Sequence, residues 1–152
     1  MEPRIANPAA LLPDAVRAVN LLTKAAHASG VPETVLELVH MRASQINGCS
    51  VCVDMGGRSM RKNGETDERL FTIAAWRETT YFTEAERSAL ALAEAVTRLA
   101  DKSDPVPDDI WDAAAKHFTE AQLAGIVLWI ATTNFFNRLN ASTRQLAPQH
   151  WG

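Results

Sequence analysis

Apolar residues recur along the chain at intervals of three and four, and no stretch alternates convincingly with period two. That pattern predicts an all-α protein. Asn7-Pro8 offers an N-cap followed by a first-turn proline, opening a helix to about Ser29 before Gly30. Pro32 begins a second helix, which Asn47-Gly48 ends, and a third runs from the cysteines at 49 and 52 to Asn63-Gly64. Thr66-Asp67-Glu68 starts a short fourth helix through Trp76. Thr83-Glu84-Ala85-Glu86 reads as a capping box, opening a helix whose stripe is Ala89, Leu92, Ala93, Val96 and Leu99. After the rigid turn Asp104-Pro105-Val106-Pro107, a short helix reaches about His117. A second capping box, Thr119-Glu120-Ala121-Gln122, precedes a helix to about Ala141. This last helix is apolar nearly all round, so it is expected to be the central, buried one. The reading is a single domain of about seven helices.

Composition narrows the class. With 152 residues, 47% of them hydrophobic, the chain can build one core without disulfide staples. Fifteen basic against 18 acidic residues give a net charge of −3, which disfavours a nucleic-acid partner. The longest apolar run, Leu123 to Ala131 across Gly125, falls far short of the roughly 20 residues of a membrane span. The amino terminus shows no secretory leader, so a cytoplasmic protein is expected, with neither membrane nor nucleic acid among its partners.

The two cysteines stand three apart, Cys49-Ser50-Val51-Cys52. In a chain with no export signal such a pair points to redox or metal chemistry before a structural staple. In the first turn of a helix, residues i and i+3 lie about 5–6 Å apart on one face, within disulfide reach. The helix dipole there favours thiolate over thiol. The preceding helix carries an apolar stripe, Leu36, Val39, Ala43 and Ile46, and beside it a polar one, Glu37, His40, Ser44 and Asn47. A hairpin about Gly48 sets Ser44 level with Cys52 and His40 level with position 56. A carboxylate, an imidazole and a dithiol then converge on one crevice, as a proton relay requires. Plainer readings stand beside this one: two small buried cysteines, and a surface Glu37–His40 pair. Zinc lacks a second ligand pair, so no metal and no cofactor are expected. His27, His117 and His150 are read as surface or cap residues, and Asn134 as an interhelical hydrogen bonder.

The stretch from Glu37 through Gln45-Ile46-Asn47-Gly48-Cys49 and Cys52 to Met55 closely resembles the core motif of the AhpD-like, carboxymuconolactone decarboxylase family. Arg69-Leu70, Ala74-Ala75-Trp76-Arg77-Glu78, Phe82 to Arg87 and Asn134 to Asn140 extend the similarity over most of residues 32–141. The resemblance implies an AhpD-like helical bundle, with an N-terminal helix and linker over 1–31, the core over 32–141 and a tail over 142–152. It implies assembly as a homo-oligomer, a trimer or hexamer. It also implies thiol-dependent reduction of hydroperoxides, restored by a dithiol reductant. Carried over by position, Cys52 is the peroxidatic cysteine, Cys49 the resolving one and Glu37 the relay carboxylate.

One departure matters. The family pattern CxxCxxxH ends here on Gly56, followed by Gly57, and Val51 stands where some members carry a second histidine. Each mid-helix glycine costs about 1 kcal/mol relative to alanine. His40 is the candidate substitute base, its imidazole filling the space vacated at Gly56. The expected function is therefore a hydroperoxide or disulfide reductase. The alternative is a non-catalytic scaffold that binds a small apolar or carboxylated ligand beside Gly56-Gly57, and lactone decarboxylation ranks third. The four tryptophans and the apolar last helix leave apolar surface for subunit contacts, unless one core absorbs it.

Overall fold

Proline and glycine set the boundaries of most helices in the computed structural model, which describes residues 2–148. The helices are α1 (Pro8–Leu11), α2 (Pro13–His27), α3 (Glu33–Asn47), α4 (Ser50–Lys62) and α5 (Asp67–Thr72), followed by a 3₁₀ turn over Ile73–Glu78. Then come α6 (Glu84–Thr97), α7 (Asp108–Ala115) and α8 (Glu120–Thr143). There is no strand among the described residues.

The expected first helix is two. Pro13 has no amide proton to continue the ladder and drives the preceding residue out of the helical region. Leu12 accordingly sits at φ −126°, ψ 78°. The expected fourth helix likewise stops being α-helical at Thr72, and Ala75 is non-helical inside the 3₁₀ turn that follows. Both capping boxes form, Thr83 with Glu86 and Thr119 with Gln122. Leu99, expected on the α6 stripe, lies beyond the helix end and is exposed, because α6 closes at Thr97.

Two apolar clusters fill the interior. Leu36 and Val39 of α3 pack with Ala89, Leu92 and Ala93 of α6 and with Leu123, Ile126 and Ile130 of α8. On the other flank Leu38 and Met41 of α3 join Met60, Ile73, Trp76, Phe82 and Leu90. Helix α8 packs against α2, α3, α4, α6 and α7. It shares the centre with α3, however, which is buried on both flanks, whereas Phe135 of α8 is exposed. Of the tryptophans, Trp76 is buried and Trp111 is exposed, while Trp151 and His150 lie outside the described residues.

The bundle is tied by a buried acid as well as by hydrocarbon. The Glu94 carboxylate of α6 accepts from Arg42 at 2.7 Å, Arg77 at 2.7 Å, Arg98 at 3.3 Å and the Trp76 indole at 3.1 Å. Burial pushes its pKa up, but the hydrogen bonds from Arg77, Arg42 and Trp76 outweigh that and hold it at about 2. Arg69 makes a similar clamp on Glu86, at 2.6 Å.

Candidate active site

Gly48 turns the chain at φ 65°, the left-handed conformation a helix C-cap favours, and brings α4 back alongside α3. Cys49 then becomes the N-cap of α4, its sulfur accepting from the Cys52 amide at 3.3 Å. Cys52 is the third residue of α4, so both sulfurs lie at the positive end of the helix. Both cysteines are reduced, and each is only 2% exposed.

The middle of the polar stripe of α3 is buried. His40 is 8% exposed and Ser44 is fully buried, and α8 answers them with a polar stripe of its own. The His40 Nδ1 pairs with Thr133 Oγ1 at 3.2 Å. Asn137 Nδ2 donates to Ser44 Oγ at 3.1 Å. Asn47 Nδ2 donates to both Asn134 Oδ1 and Asn137 Oδ1 at 2.9 Å. Asn134 is thus the interhelical bonder expected, reaching Thr97 of α6 as well.

The hairpin geometry puts His40 against Gly56. A Cβ at position 56 would stand 3.1 Å from His40 Cδ2 and 3.4 Å from its Nε2, so the imidazole occupies the space a side chain there would need. Its ring stacks on Trp129 with centroids 5.8 Å apart. Burial lowers its pKa, opposed by a hydrogen bond to the Cys52 backbone, so the ring is neutral at pH 7. With Nδ1 on Thr133 and its ring against Gly56, His40 packs between α8 and α4.

Glu37 faces the same space from one turn earlier on α3, but its Oε1 accepts from Ser59 at 3.0 Å and Asn63 at 2.7 Å. The hydrogen bonds drawn by Glu37 and His40 therefore go to different partners. Glu37, His40, Cys52 and Gly56 do line one cavity of about 280 Å³, walled by Trp129 and Phe136. That volume is at the small end for a ligand site. His27, expected on the surface, also lines it. It bonds Glu33 at 2.8 Å and meets the Trp129 ring edge-on, because α2 crosses α8 there.

Beyond the Cys52 amide of α4 itself, a side chain of α8 reaches both sulfurs. Asn140 Nδ2 lies 3.6 Å from Cys49 Sγ and 3.5 Å from Cys52 Sγ. The Cys49 thiol is drawn down to about 6, mainly by the hydrogen bond from the Cys52 thiol, against burial and with help from the Cys52 amide, Asn140 and Asn137. Cys52 is pushed up by the bond it donates to Cys49, by burial and by the charge on that neighbour. Of the two, Cys49 is thus the more readily ionised, while Cys52 lines the cavity. Thr133, Asn137 and Asn140 recur at i, i+4 and i+7 along α8. That signal was present in the sequence, but nothing local to α8 says which helix it faces.

Comparison with known proteins places this arrangement. The sequence profile of the carboxymuconolactone decarboxylase family matches residues 13–95. The chain is 33% identical to the uncharacterised Bacillus subtilis (strain 168) protein YdfG, across 86% of this chain and 87% of that one. It is 30% identical to the uncharacterised Escherichia coli (strain K12) protein YnjA, across 75% of this chain and 61% of the other. Among solved structures, an Agrobacterium tumefaciens protein of unknown function, put forward as the antioxidant defence protein AhpD, superposes with a TM-score of 0.90 at 33% identity. That match covers 98% of this chain and all of the other. The debrominase Bmp8 shares the fold at a TM-score of 0.78 and 24% identity, over 90% of this chain and 73% of its own.

Proposed function

The chain belongs to the carboxymuconolactone decarboxylase family, and from that membership and the cysteine geometry we propose that it is a thiol oxidoreductase that reduces organic hydroperoxides. The observation that carries this reading is the dithiol at the N-terminus of α4, with Cys52 at the wall of the cavity. In the first step the proton of Cys52 passes to Cys49, and the Cys52 sulfur attacks the peroxide. An S–O bond forms, the O–O bond breaks, and the departing alkoxide takes the proton back from Cys49 to leave as the alcohol. The Cys49 thiolate then attacks the Cys52 sulfenic acid, forming the disulfide and expelling hydroxide, which takes a proton from solvent to give water. An external dithiol restores both thiols by exchange.

In this scheme Cys49 serves as the base as well as the resolving thiol. His40 positions the turn that bears Cys52, and Glu37 fixes α3 against α4 at the cavity rim through Ser59 and Asn63. Two carboxylates, Glu33 and Glu37, line the cavity beside the apolar walls of Val51, Met55, Trp129 and Phe136. Neutral hydroperoxides are therefore the preferred class, and carboxylated ones are repelled.

Mixing the reduced protein with cumene hydroperoxide tests this. The expected result is loss of two thiols per chain and one intramolecular disulfide, in a saturable reaction that Cys52→Ser abolishes. Thiol loss no faster than in the Cys52→Ser variant overturns it. That outcome would leave the second reading, a small-ligand binder without turnover. The observation in its favour is that His40, the candidate replacement for the missing base, spends its Nδ1 on Thr133 and not on a sulfur.

A further inference from the structure

The geometry points to Asn140 as a catalytic residue of this site, whose side-chain amide holds the negative charge of the dithiol wherever that charge sits. This rests on the thiol redox reading above and adds a group that neither the cysteine motif nor the family's histidine pattern supplies.

The amide nitrogen of Asn140 carries two protons and stands between two acceptors, Cys49 Sγ at 3.6 Å and Cys52 Sγ at 3.5 Å. Those are ordinary lengths for a bond to the larger sulfur atom, and the near equality means that neither sulfur is preferred. Asn140 also lines the cavity with Cys52, so it meets the substrate at the atom that reacts. Its helix is fixed at this height. One turn earlier Asn137 is fully buried, donating to Ser44 and accepting from Asn47, which locks α8 to α3.

The reaction needs such a group. The charge starts on Cys49, moves to Cys52 as the proton crosses, and appears on Cys49 again when that sulfur attacks the sulfenic acid. An amide with one N–H for each sulfur serves all three states without moving, which is the preorganisation that makes a fixed donor effective. The ionisable residues sharing the cavity wall are His27 of α2 and Glu33, Glu37 and His40 of α3. Of these, His27 and Glu33 pair with each other, Glu37 bonds Ser59 and Asn63, and His40 bonds Thr133. The face of α8 toward the sulfurs presents uncharged amides. Hydrogen bonding to the thiolate form is what lowers a thiol pKa where no cation is at hand.

The test is to titrate thiolate absorbance near 240 nm in the reduced full-length protein, in wild type, Asn140→Ala and Asn140→Asp, with iodoacetamide rates in parallel. Both variants are expected to raise the midpoint, cutting alkylation at fixed neutral pH by roughly tenfold in Asn140→Ala. Asn140→Asp should cut it further, because an isosteric carboxylate repels the anion. Circular dichroism checks the helix content. If the alanine variant does not fold, Asn140→Leu, which removes the donor without adding charge, takes its place. A midpoint in the folded alanine or leucine variant within a few tenths of a unit of wild type overturns the proposal. Because the titration needs no peroxide, that failure leaves hydroperoxide reduction standing. Conversely, a wild type inert to hydroperoxide defeats the functional reading without touching the titration.

Discussion

Gly56 and Gly57 are neighbours on one helix, and their surroundings make opposite demands. A Cβ at Gly57 would meet Met41 Cε at 3.6 Å and Leu70 Cδ2 at 3.9 Å, ordinary contacts. Gly57→Ala should therefore stabilise the protein by up to about 1 kcal/mol through helix propensity alone. At Gly56 the same methyl group presses on His40, which cannot yield easily while stacked on Trp129 and bonded to Thr133. Overpacking of this kind costs about 1–3 kcal/mol, so Gly56→Ala should be neutral to destabilising despite its better propensity. The double variant His40→Ala/Gly56→Ala should then lose less than the sum of the singles. Urea midpoints across the four proteins measure that coupling, and strict additivity would show that His40 does not occupy the glycine's space. The sequence did announce this pairing, since counting outward from Gly48 sets His40 level with position 56. What it could not announce is where the imidazole spends its hydrogen bonds, because Thr133 lies 93 residues away.

At the level of helices, the unusual feature is that α3 and α8 meet through polar side chains in an otherwise apolar interior. Ser44, Asn47, Asn134 and Asn137 satisfy one another there, and no buried side-chain nitrogen or oxygen is left without a partner among the described residues. Such a network specifies one register between the helices. Asn137→Leu should accordingly destabilise the fold although it adds hydrocarbon, because it deprives Ser44 of its donor and Asn47 of an acceptor. A loss of about 2 kcal/mol in chemical denaturation is expected; a variant as stable as wild type would mean the network contributes nothing. The stripe Glu37, His40, Ser44 and Asn47 is readable from its spacing, and so are the caps at Thr83 and Thr119. The partner stripe was hidden because polar residues on an apolar helix carry no label for their distant neighbour. Pro13 is the local signal that divides the expected first helix: an N-cap at Asn7 predicts a start, but the proline just beyond Leu12 stops it after Leu11.

Over the whole molecule, acid should loosen the bundle through Glu94. Its folded-state pKa of about 2 lies below the ordinary 4.5, so its contribution is fully present above pH 5 and is lost as pH falls through its folded value. Glu86, lowered in the same direction by Arg69 against the opposing effect of burial, adds to that trend. The thermal midpoint should therefore fall between about pH 5 and pH 2, and Glu94→Gln should show a shallower fall over the same window. At neutral pH the glutamine variant should already be weaker by about 3 kcal/mol, since it leaves the Arg42 guanidinium buried without its counter-charge. An unchanged acid slope would assign the sensitivity elsewhere. This clamp joins residues that the sequence scatters from Arg42 to Arg98, so no motif reveals it.

The depth of the sulfurs has a consequence for whatever regenerates them. With 2% of each cysteine reachable by solvent, the rim of another folded enzyme has no sulfur to press against. On the proposed peroxidase reading, a small free dithiol that can enter the cavity lined by Cys52 is therefore expected to restore the thiols faster than a folded protein that must dock on a broad face.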